Sequence, residues 1–249
     1  YSNFSTIDLI TDSSVLWVNS KFTGGMWNSS FWITYDILIM LYDIGVDIRT
    51  YIIPILKDIR KHYAEYSYDG VTGATCGLIE LMLLLDKRYH DELTKEGYTT
   101  ADFNGMLKWL IDKYESQSTY DKQTVILTLN KYHTEIFAGN KFGIDEKKYL
   151  EMLKPVCDSS YSKNTHTDEY SGIDLCRNIS VCLVCENREN EIIELLGYLK
   201  RNQTPSGRWT NTGRTSHVLV FLLNNLSKLK SLSNTDISID DMIYNGILY

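Results

Sequence analysis

Apolar residues recur along this chain at helical spacing, in segments that come in pairs and are parted by short polar turns. The clearest pair lies between Glu191 and Leu226. Ile192, Leu195, Leu196 and Leu199 stand at i, i+3, i+4 and i+7, one stripe of an amphipathic helix. Thr204-Pro205-Ser206-Gly207 then breaks the pattern with turn chemistry. Ser216 to Leu223 follows as a nearly continuous apolar run, the pattern of a helix buried on several sides.

The same pairing repeats upstream. Ile48, Ile52, Ile55 and Ile59 form a stripe within Ile48 to Ala64, in which Pro54 must sit in the first turn or kink the helix. Tyr68-Asp69-Gly70 leads into a helix with Leu78, Leu81, Met82 and Leu85 aligned. Thr100 to Ser116 pairs with Thr124 to Tyr132, and Asp145 to Cys157 with Asp174 to Cys185. At the start, Ile7 to Val18 pairs with Phe31 to Tyr42 through Gly25-Met26-Trp27. The turns before the more apolar helices fall at Trp27, Asp69, Ser118, Tyr170 and Trp209, a spacing of roughly forty to fifty residues typical of helical-pair repeats. Thr34, Thr75, Thr124 and Thr215 stand near the starts of those second helices, where a hydroxyl satisfies an orphan amide. With no sustained β-alternation, the pattern predicts one all-α domain over 1–249, built of about five helical hairpins.

One stretch carries a family resemblance. Tyr198-Leu199, Gln203 and Gly207-Arg208-Trp209, each separated by three residues, resemble the QW motif of the prenyltransferase and squalene/terpenoid cyclase superfamily. The resemblance implies an α/α toroid, a ring of hairpins whose second helices line a central cavity. Members usually close the ring with about six hairpins, a size suited to a larger domain. Here Ser238 to Leu248 begins a sixth outer helix without an inner partner. The ring is therefore expected to be open, or completed by a partner domain or subunit. A helical-repeat solenoid is the alternative fold, although such repeats are shorter, about 34 residues.

Composition narrows the function classes. A net charge of -7 leaves no basic surplus for phosphate, which excludes a nucleic-acid binder. The longest apolar runs, such as Leu78 to Leu85, are too short to span a membrane. Five cysteines without framework spacing suggest free thiols in a reducing, cytoplasmic setting. Cys182-x-x-Cys185 resembles a metal or redox pair on paper but sits within a predicted helix, so buried free thiols are expected there. A start at Tyr1 rather than Met reads as an excised domain or a processed product, and no leader pattern opens the chain.

Candidate chemistry follows partly from the residues and partly from the resemblance. In protein prenyltransferases of the superfamily, zinc is held by an Asp-x-Cys pair and a later His, which here would be Asp174, Cys176 and His217. On a regular helix i and i+2 diverge by about 200°. Alignment on the threonines puts Arg214, a cation, where the histidine belongs. The expectation is no bound zinc and no other cofactor. The Asp-x-Asp-Asp acid of the triterpene cyclases is absent; Asp240-Asp241 is the nearest pair, with Asp240 read as a first-turn acid. Trp27, Trp32, Tyr35 and Trp209 would supply aromatic faces in a cavity, with Asp36 beside them. Asp174, Arg177, Arg214 and His217 complete the cavity candidates, the cationic ones for a diphosphate. The expected function is a ligand-binding or protein-interaction module without confirmed catalysis. The alternative is an enzyme acting on an isoprenoid or other apolar substrate by prenyl transfer or cyclisation.

Overall fold

A computed structural model describes residues 12–138, 143–160, 172–232 and 237–249. The fold is all-α: apart from four two-residue strands, the regular elements of the described residues are helices. Contacts divide the chain into two compact units, 1–145 and 146–249, where the sequence pattern suggests one domain. The junction carries no composition shift, because the helical-pair pattern continues across it.

In the first unit, α1 (Asp12–Ser20) is followed by the hairpin β1 (Phe22–Thr23) and β2 (Met26–Trp27), then α2 (Phe31–Asp43). After α3 (Arg49–His62), a second hairpin, β3 (Tyr63–Ala64) and β4 (Ser67–Tyr68), leads into α4 (Thr72–Lys95). The unit continues through α5 (Thr100–Lys113), α6 (Thr119–Lys131) and the short α7 (His133–Phe137). α4 is its centre, packed against α2 and α6 on its flanks and against α3 and α5. Ile48, Ile52, Ile55 and Ile59 are buried as their spacing predicts. Pro54 lies in the second turn of α3 rather than the first. Gly25, at φ 94°, abuts its carbonyl: a Cβ there would stand 2.7 Å from Pro54 O.

Local signals set the helix starts. Ser30 and Ser118 accept from the third residue of α2 and α6, and Thr99 with Asp102 forms a capping box on α5.

The second unit contains α8 (Glu146–Ser160), α9 (Gly172–Val184), α10 (Glu189–Arg201), α11 (Thr212–Asn224), α12 (Leu226–Leu232) and α13 (Ile239–Leu248). Here α9 packs against α8, α10 and α11, and α11 against α13. Ile192, Leu195, Leu196 and Leu199 of α10 enter a core shared with Leu175, Ile179, Val218 and Leu222. Two expectations change. α11 is buried on one side only, through Thr215, Val218 and Leu222, while Val220 and Leu223 are exposed. Cys185 is not a free thiol: it is disulfide-bonded to Cys157, because the α8–α9 pairing brings their Cα atoms to 6.1 Å. Cys76, Cys176 and Cys182 are free and buried. The predicted turn at Tyr170, and the first residues of the helix predicted from Ile7, lie outside the described residues.

Candidate functional site

Three of the turns that deliver second helices share one design. Trp27 N–H donates to Thr34 Oγ1 at 2.9 Å, Tyr68 N–H to Thr75 Oγ1 at 3.1 Å, and Trp209 N–H to Thr215 Oγ1 at 2.9 Å. The threonine thus satisfies the amide of the residue that enters the turn, not an orphan amide of its own helix. Thr124 departs from the set and donates to Tyr120 O at 3.0 Å.

Trp27 and Trp209 belong to this turn packing. Both are buried, and each indole N–H donates at 2.8 Å to a carbonyl of the preceding helix or its end, Val18 O and Leu199 O. Gln203 Nε2 donates to Gly207 O and to Met242 O, both at 2.9 Å, and so ties its own turn to α13. A side chain on Gly207 would collide with the Asn245 carbonyl of α13. The Gln-Gly-Trp residues therefore join one hairpin to the next helix.

The side-by-side layer of α2, α4 and α6 carries the polar centre of the first unit. Glu80 of α4, 14% exposed, accepts from Tyr35 Oη of α2 at 2.8 Å. It also accepts from Thr128 Oγ1 at 2.8 Å and Lys131 Nζ at 2.7 Å, both of α6. One carboxylate so bonds three helices, and a largely shielded charge is stable only with partners of this kind. Burial, and then the adjacent Glu80 carboxylate, push the Tyr35 phenol far above its ordinary range. Burial opposes the charge on Lys131, but the attraction of Glu80 outweighs it and holds the ammonium above its usual range. At neutral pH Tyr35 is a neutral donor and Lys131 a cation, so neither acts as a general base.

Beside this centre, Trp32 is 47% exposed and lies over Gly73 and Gly77 of α4. A Cβ on Gly77 would stand 3.2 Å from the indole, so the small residue makes room for the ring. Trp32 meets Phe31 and Tyr35 edge-on, with centroids 5.4 and 6.1 Å apart. Asp36 is exposed on the same helix. Trp32, Tyr35 and Glu80 thus make an aromatic surface next to a satisfied charge. Glu80, Thr128 and Lys131 were missed by the sequence pattern. The available signal was Glu80 itself, an acid inside the apolar run Leu78 to Leu85.

The remaining candidates lie in the second unit. Asp174 is in the first turn of α9, with half-buried Arg177 one turn on. Cys176 is buried, and burial alone pushes its thiol well above the ordinary range. Arg214 and His217 are exposed on α11. Among the described residues, no group of three His, Cys, Asp or Glu is placed to hold a metal. The donor set Asp174, Cys176 and His217 does not fit zinc. Among the described residues no helix is long and apolar enough to cross a membrane.

Comparison with protein-family models, curated proteins and solved structures found no match.

Proposed function

We propose that this chain is a helical-repeat binding module of the α/α-toroid type, which holds an apolar, isoprenoid-like molecule without transforming it. The observation that carries this reading is the pairing of exposed Trp32 with a polar centre whose groups are spent on one another. An exposed indole seated over glycines supplies contact area for an apolar ligand. The Glu80 centre fixes the helices beneath it and supplies no base for chemistry. The QW-like turn supports the toroid, in which a partner domain or subunit completes the ring. The Cys157–Cys185 disulfide supports an oxidising compartment in place of the cytoplasmic setting that the cysteine composition suggested.

Titration with farnesol, followed by tryptophan fluorescence, tests the reading. Saturable quenching that is lost in Trp32→Ala is the expected result, with no product formed on incubation with farnesyl diphosphate. Quenching unchanged in Trp32→Ala would reject the site. Turnover of the diphosphate would instead bring forward the enzyme reading, prenyl transfer or cyclisation.

A further inference from the structure

The turn between α10 and α11 meets α13 as the turn between α1 and α2 meets α3. Gly25 and Gly207 each stand two residues before the buried tryptophan of their turn. A Cβ on Gly25 would press on Pro54 O of α3, and one on Gly207 would collide with Asn245 O of α13. Burial follows the same register. With Pro54 matched to Asn245, Ile48 and Ile52 fall on Ile239 and Ile243, and all four are buried. α13 therefore stands to α11 as α3 stands to α2.

The two places differ in what covers them. In the first unit α4 packs on both α2 and α3. Its Arg88 lies 4.2 Å over the ring of Tyr42, and its Tyr89 meets that ring edge-on at 6.4 Å. Tyr42 and, on α3, Leu56 are buried as a result. With Thr34 matched to Thr215, Tyr42 falls on Leu223; in the α13 register Leu56 falls on Ile247. Leu223 is 50% exposed and Ile247 64%. Val220 on α11 and Tyr244 and Leu248 on α13 extend this open apolar surface. The first unit thus shows what such a face accepts, an apolar-faced helix laid against both of its neighbours.

We infer that a second copy of this chain supplies that helix, each copy laying its α13 on the α11–α13 face of the other about a two-fold axis. α13 suits the place because Tyr244, Ile247 and Leu248 stand at i, i+3 and i+4 and give it an open apolar stripe. A face that both offers and accepts such a helix is self-complementary, as an isologous contact requires. The area agrees. The five exposed side chains offer on the order of 100 Å² each, roughly 500 Å² of apolar surface. A stable homodimer covers about 800 Å² on each partner, about two-thirds of it apolar. Charge sets the direction: α13 begins with exposed Asp241, and Arg208 lies over the Tyr249 ring at its other end. Antiparallel α13 helices bring these opposite charges together, and parallel ones bring like charges together. The inference names the partner that the toroid reading leaves open; it rests on the repeat in that reading, not on the ligand.

Sedimentation of the full chain over about 1–100 μM tests the pairing. The expected result is a shift from one chain to two with rising concentration. Leu223→Glu with Ile247→Glu, both at exposed positions, should weaken association by about a hundredfold or more and leave the helical circular dichroism unchanged. Trp32→Ala should leave association unchanged, and farnesol quenching is read separately, so either proposal can fail alone. A native chain that stays monomeric throughout overturns the inference without any variant. A dimer that persists in the double variant, or in Tyr244→Glu should the double variant not fold, places the contact elsewhere and overturns it as well. Species that grow beyond two chains would mean a head-to-tail contact and exclude the two-fold pairing.

Discussion

Single hydroxyls position the second helices of this protein. Thr34, Thr75 and Thr215 each accept from a turn amide, and Thr215 also donates to Asn211 O at 2.9 Å. Thr215→Val keeps the shape and removes the acceptor, so the buried Trp209 amide loses its partner. We expect a loss of about 1–3 kcal/mol, read as a lower urea midpoint with an unchanged slope. An unchanged midpoint would mean that water or the Trp209 turn itself replaces the bond. These threonines were legible because they recur just after each turn. Glu80 was legible only as an oddity: its partners Tyr35, Thr128 and Lys131 lie far away in sequence, and no periodicity links them.

At the scale of elements, the strand hairpins before α2 and α4 are one structure written in two sequences. Gly24 and Gly25 take φ 63° and 94° in the first; Glu65 and Tyr66 take 49° and 62° in the second. Residues with a Cβ adopt that region at a cost of about 1–3 kcal/mol each, which tertiary contacts must offset. For Tyr66 the contact is visible, since its ring fills the space that a side chain on Gly105 would need. Sequence reading found Gly25-Met26-Trp27 and Tyr68-Asp69-Gly70 as turns, yet glycine chemistry alone does not reveal the second hairpin. In the other unit, the Cys157–Cys185 bond closes a loop with a sequence separation of 28 around the α8–α9 connection. Breaking it with reductant, or with the paired change Cys157→Ser and Cys185→Ser, should destabilise that unit by about 3–4 kcal/mol. Differential scanning calorimetry showing the same unfolding temperature in both redox states would contradict this.

At the scale of the whole molecule, eighteen tyrosines act as a reporter of alkaline stability. Burial, followed by Asp69 and Asp58, pushes Tyr68 up to about 12. Burial also raises Tyr35, Tyr63, Tyr98 and Tyr114. A folded-state value above the unfolded value of about 10 means that the folded chain holds more protons in that window. The stability from these groups is therefore complete below about pH 10 and is lost as pH rises through their folded values. An absorbance titration should show exposed tyrosines ionising near pH 10 and the buried set ionising only as the helical circular dichroism collapses. Ionisation of every tyrosine near pH 10 with the helices intact would show that the rings are not enclosed as described.

What the sequence by itself determined is the helical class, most of the helix starts and two of the helix pairs, α3 with α4 and α8 with α9. Amphipathic spacing, capping residues and turn residues act within a few positions of one another, so they are written locally. Tertiary structure decided which polar residues meet. It bonded Glu80 to two neighbouring helices, joined Cys157 to Cys185, enclosed Trp27 and Trp209 in turns while leaving Trp32 exposed, and left Cys176 buried and His217 exposed. It also divided an unbroken repeat pattern into two compact units. Each of these outcomes depends on helix packing between segments distant in the chain, and spacing along the sequence carries no record of which helix becomes a neighbour.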